Sequence, residues 1–187
     1  MKPSNKDFAM KIKTREILAD LALIALLIAI DVAARLLPHA PGFLPVAASG
    51  LFAARMLRTP ALAVVVPVLG MLLSDTALPG EDWRIQAVGF AAIAIPALAG
   101  IASRRFSGVM PIIAVIVPSS LLFFLLSNGA VWAFSGTYPP TLSGLAQCYV
   151  AALPFLDKTV LGDIVWTGVL FGGAWLLQRR PALGRAL

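Results

Sequence analysis

YPPTLSGLAQCYVAALPFLDKTVLGDIVWTGVLFG, residues 138–172, changes character three times without ever turning water-soluble, and its reading decides the fold. Pro139 and Pro140 hold the chain extended; Leu142, Leu145, Tyr149 and Ala152 then recur at helical spacing, with Ser143, Gln147 and Cys148 elsewhere on the turn. The spacing predicts a short amphipathic helix over 141–153. At about 1.5 Å per residue it is too short for a hydrocarbon core of about 30 Å, so it is expected to lie at the membrane surface, or to close over a cavity as a lid. After Pro154 and the charged Asp157-Lys158, residues 159–177 are long enough to cross, yet they carry Asp163 about one turn inside their start. A carboxylate at that depth needs a partner, a bundle interior or a water-filled cavity.

The rest of the chain has the same character. Of its 187 residues 59% are hydrophobic and 13% charged, and the mean hydropathy is +0.89, outside the range of a soluble domain. No stretch between the apolar runs is polar enough for a soluble catalytic domain, so residues 1–187 read as a single transmembrane domain. The formal charge of +6 does not imply nucleic acid, because the basic residues stand in small groups beside apolar spans, where they act as topology signals. One cysteine permits no internal disulfide and no cysteine-pair metal motif; neither a metal nor a cofactor is expected. At the N-terminus, Asp31, Arg35 and Leu36-Leu37 replace a small-residue cleavage site, so the first apolar run is expected to be retained as a span.

Six spans follow from the apolar runs: 17–37, 43–57, 61–78, 85–102, 109–134 and 159–177. The second is short and must be tilted, sheltered by neighbours or partly re-entrant. The fifth contains Pro111 and Pro118, which predict a kink. With residues 1–15 inside and the spans alternating, twelve of the 15 lysines and arginines are cytoplasmic, and only Arg35, Arg84 and Lys158 lie outside. That bias places both termini, including the tail 178–187, in the cytoplasm, and 138–156 outside as the lid segment.

The orientation gathers the polar span residues at one level. Asp31, Arg35, Asp75, Asn128, Trp132, Asp163 and Trp166 all fall in the outer half, beneath a helix that carries Gln147, Cys148 and Tyr149. These ten are the candidate solute-binding residues, and together they suggest a cavity open to the outside. Each has a plainer role open to it. Asp31 and Arg35, four apart, can neutralise each other; Asp75 and Asp163 can cap helices or pair with Arg35; Asn128 and Trp132 can bond between helices. Cys148 can be a packing residue and His39 a loop residue beside Pro38. Small residues form two stripes. Ala25, Ala29 and Ala33 recur every four residues on the first span, and Gly168 with Gly172 makes a GxxxG on the last, suited to close helix packing.

The segments LPHAPGFLPVAASGLFAARML (37–57), PVLGMLLSD (67–75) and the block from Phe123 to Gly173 resemble an uncharacterised family of small bacterial inner-membrane proteins. That family in turn resembles the substrate-binding S components of energy-coupling factor vitamin transporters. The resemblance implies an all-α, S-component-like bundle in the bacterial inner membrane, with six transmembrane helices, a short outer lid helix and an outward-facing pocket for a vitamin or similar small molecule. It implies a separate transmembrane coupling subunit with ATPases, met through Ala25, Ala29 and Ala33. One branch of S-component-like proteins handles cobalamin through a cysteine toward cobalt; Cys148 lies in a different part of the chain.

A solute-binding permease is therefore the expected function, with no bond chemistry by the chain itself and no phosphate-binding GKT or GKS motif for ATP. Two other classes compete. A membrane-embedded enzyme would have to use Asp163, Asp75, His39 or Cys148 without any HExxH or GxSxG motif, and a ligand-free structural or assembly subunit would use the polar cluster only for packing.

Overall fold

The computed structural model describes the backbone of residues 5–179 and the side chains of residues 13–178. The first residues of the expected cytoplasmic segment and most of the tail 178–187 lie outside the described residues. Among those described, six α-helices follow one another and no strand occurs: α1 Asn5–Leu36, α2 Val46–Met56, α3 Val65–Asp75 with a 3₁₀ turn Pro60–Val64 before it, α4 Trp83–Ala102, α5 Met110–Phe134 and α6 Leu142–Arg179.

Four helical stretches are long and apolar enough to cross a membrane: Lys13–Leu36, Trp83–Arg105, Met110–Phe134 and Leu142–Gln178. They also expose large apolar side chains to their surroundings, among them Leu18, Leu21 and Leu26 on α1, Leu98 on α4, Leu125 on α5 and Leu161 and Val169 on α6. Apolar surface on that scale suits lipid rather than water.

The two helices that fall short are α2 and α3. With 11 residues each they rise only about 16 Å. The chain reverses direction from α1 to α2 and again to α3, because Arg35 at the end of α1 meets Asp75 at the end of α3, whereas Arg58 beyond α2 meets Asp20 midway along α1. Two of the six passes expected from sequence are thus short apolar helices. Of the explanations offered for the brevity of the second run, shelter by neighbours accounts for it. Eight residues of α2 are buried, and it packs against α4, α6, α3, α5 and α1.

The buried core lies toward one end of the bundle, and hollows occur at both: an apolar one of about 600 Å³ opens between α5 and α6 beside Met56, Ile113 and Phe171, and others lie at the Arg35 end. At the Arg104 end, Leu27, Phe52, Ala53, Leu57, Val66 and Ala97 form a closed core, and Phe52 meets Phe171 of α6 edge to face at 5.0 Å. Arginines bind the free carbonyls there: Arg104 donates to Ala54 and Leu57, and Arg55 to Ser103 and Phe106. Hydrogen-bonded arginines tie down the α2–α3 and α4–α5 connections.

One expectation is corrected. The lid helix over 141–153 and the span over 159–177 are one continuous helix, α6, which runs through Pro154 for 38 residues in all. Proline lacks only its own N–H and clashes with one carbonyl a turn back, so a long helix packed along α5 tolerates it with a bend.

Candidate functional site

At the Arg35 end, the residues singled out from sequence form three separate polar contacts. Asp31 is fully buried at 0% exposure and accepts from Ser49 Oγ at 2.6 Å; its Oδ1 has no hydrogen-bond partner among the described residues. Gly70 makes this possible, since a Cβ there would lie 2.8 Å from Asp31 Cβ, so only glycine lets α3 pass so close to α1. Asp31 and Arg35 could neutralise each other at i,i+4, but both take longer-range hydrogen-bond partners. Arg35 Nη2 instead donates to Asp75 Oδ1 at 2.7 Å, and Asp75 Oδ2 accepts from Gln86 Nε2 at 2.8 Å, which binds α1, α3 and α4 together. Among the described residues Arg35 Nη1 is buried without a hydrogen-bond partner.

Asp163, 4% exposed, lies on α6 facing α5, where Ser120 Oγ donates to its Oδ2 at 2.5 Å. Ser120 is buried two residues after Pro118, on the inner face of α5 with Ser119. Among the described residues Asp163 has no second hydrogen bond, and the carboxylate lines a cavity of about 200 Å³. Arg35 lines the same cavity. The walls between them are apolar: Leu44, Val46, Ala47, Met71, Ala92, Ile93, Pro96 and Phe123, with Ser119 and Thr159 as further polar groups.

Two further hollows adjoin it, each of about 240 Å³. One shares Gly42, Phe123 and Thr159 with the first and adds Ser127 and Asn128. The other shares Arg35, Met71 and Phe123 and opens beside Asp75, Glu81 and Gln86. Phe123 borders all three and so divides one larger recess.

The ten candidates therefore separate. Arg35, Asp75, Asn128 and Asp163 line the recess, and Asp31 is buried beside it against Gly70. The remaining five are occupied elsewhere or turned away. Gln147 is exposed on the outside of α6. Cys148 is buried with its thiol 3.4 Å from Asn128 O, and Tyr149 donates to Leu125 O at 2.7 Å and packs against Phe124, so both fasten α6 to α5. Trp132 Nε1 donates to Pro139 O at 3.1 Å and fixes the α5–α6 turn. Trp166 is partly buried and its Nε1 has no partner among the described residues. The helical continuity of α6 explains the difference, because a rigid α6 keeps Gln147, Cys148 and Tyr149 along α5 rather than folding them over the recess.

Sequence reasoning missed Ser49, Ser120, Gln86, Phe123 and Thr159. Serines and an amide inside apolar runs were the available signal, since such groups need partners in a membrane. Phe123, in a run of apolar residues, had none. The alanine stripe is exposed at Ala25, Ala29 and Ala33 on the outer side of α1. The GxxxG of α6 is also open: among the described residues nothing lies within 4 Å of a Cβ placed at Gly168 or Gly172, so these glycines do not serve packing against them.

A protein-family model described as a family of unknown function (DUF6580) matches residues 15–184. No curated protein and no solved structure matches the chain.

Proposed function

We propose an activity for this chain, which belongs to the DUF6580 family, from its own geometry: it is a solute-binding permease, S-component-like, of the bacterial inner membrane. It takes up a vitamin or similar small molecule from the outer side. The observation that carries this reading is the recess at the Arg35 end, where Arg35 and Asp163 face one apolar cavity across helices distant in sequence. What supports the reading is the lining: among the described residues the larger hollow between α5 and α6 has no ionisable group on its wall, whereas this one has two. On this reading both termini are cytoplasmic, six passes cross the bilayer, and the recess opens outward. The chain performs no bond chemistry. Energy comes from a separate coupling subunit with ATPases, docked on the exposed stripe of Ala25, Ala29 and Ala33.

Purified protein should carry a co-purifying small molecule identifiable by mass spectrometry. Asp163→Ala should weaken its binding by about tenfold or more while folded yield falls by less, since Ser120 can return its hydroxyl to Ile116 O at 3.0 Å. Equal losses of binding and of folded protein would favour the competing reading, an assembly subunit without ligand. The contact that joins Arg35, Asp75 and Gln86 is the observation on that side.

A further inference from the structure

The charges around the recess are unbalanced in a way that selects among solutes. The chain as a whole is strongly basic, with a formal charge of +6. Around the recess the balance reverses: Asp31, Asp75, Glu81 and Asp163 stand against the single guanidinium of Arg35, which Asp75 already engages. Asp163 is 4% exposed, bonded on one oxygen only, and set in an apolar wall. A buried carboxylate left half-bonded is costly unless something supplies the missing donor. Arg35 Nη1 has the complementary need for an acceptor.

Resting on the permease reading above, we propose that the solute is an amine with an apolar body, which places its ammonium group on Asp163 and a carbonyl or hydroxyl oxygen within reach of Arg35 Nη1. An ammonium donates to the free carboxylate oxygen and neutralises its charge, whereas a carboxylate-bearing solute would meet Asp163 with like charge. Apolar walls such as Ile93, Pro96 and Phe123 bury the body of the molecule. The acceptor on the solute distinguishes it from a bare hydrocarbon amine.

Three probes matched in their phenyl body test this: phenylalaninamide, phenethylamine and 3-phenylpropionate, titrated by calorimetry into the full chain in detergent. Phenylalaninamide is expected to bind most tightly, phenethylamine next, and 3-phenylpropionate at least about tenfold more weakly than either. Asp163→Asn should cost the two amines about tenfold and strengthen binding of the acid, because the like charge is gone. Because Arg35→Gln alone leaves Asp75 Oδ1 without its donor, it is made together with Asp75→Asn; the pair should abolish the preference for phenylalaninamide over phenethylamine. Ala92→Trp, which fills the cavity, should abolish binding of both amines. Tighter binding of 3-phenylpropionate, or absence of amine binding, overturns the assigned class, and the permease reading then stands or falls separately on the co-purifying molecule. Amine binding that survives Ala92→Trp unchanged places the amines outside the cavity and overturns the proposal.

Discussion

Asp31 and Asp163 show how one residue type reaches two positions in the same bundle by the same device. Each is buried, each takes a hydrogen bond from a serine on a neighbouring helix, and the serine comes from a different helix in each case, α2 for Asp31 and α5 for Asp163. Their existence was legible in the sequence because carboxylates in apolar runs are conspicuous. Their partners were not, since a serine in such a run is usually satisfied by its own helix, as Ser74 is by Gly70 O. Gly70 carries the tightest constraint. Gly70→Ala should push α3 off α1 and destabilise the fold by about 1–3 kcal/mol, read as a lowered unfolding midpoint in detergent. Gly168→Ala, within α6 where a Cβ meets open space, should not lower that midpoint and serves as the control.

Among the elements, α6 departs furthest from what its sequence suggests. Pro154 with Asp157-Lys158 reads as a break, and the amphipathic pattern before it reads as a separate helix; contacts of Cys148 and Tyr149 with α5 override both. Local pattern cannot register such contacts, because they depend on a helix twenty or more residues away. Spin labels at Ala146 and Ile164, both exposed, should therefore report one narrow distance near 27 Å, the rise of about 18 helical residues. Two populations would mean that the part before Pro154 moves by itself. The start of α4 follows its sequence more closely. Asp82 accepts from the Arg84 backbone N–H at 2.8 Å and binds the Arg84 side chain, and these bonds, the side-chain one foremost, lower its carboxyl from the usual value to about 2. Its capping contribution is complete above the ordinary carboxylate value of 3.8 and is lost as pH falls through about 2. Amide exchange at Arg84 should stay slow down to that pH, and Asp82→Ala should accelerate it at neutral pH.

At the scale of the molecule, alternating chain direction and the gathering of polar residues at one end were legible, because basic residues and apolar runs record them directly. The hollow was legible only as a level in the membrane; which side chains border it depends on helix rotation, which runs of leucine and alanine leave open. The proposed topology has a direct check, helped by a chain whose one cysteine, Cys148, is buried. In a Cys148→Ser background, single cysteines at Gly80 and Gly136 should label from outside intact cells with an impermeant maleimide, and one at Gly108 should label only after permeabilisation. The reverse pattern would turn the recess toward the cytoplasm and end the uptake reading. The shortness of α2 bears on how such a chain is made. A segment of 11 residues, wrapped on most sides by helices that are synthesised after it, is too short to rest in lipid by itself. Its integration must await α4 and α6, so the molecule's own centre can be enclosed only after those later helices have been made.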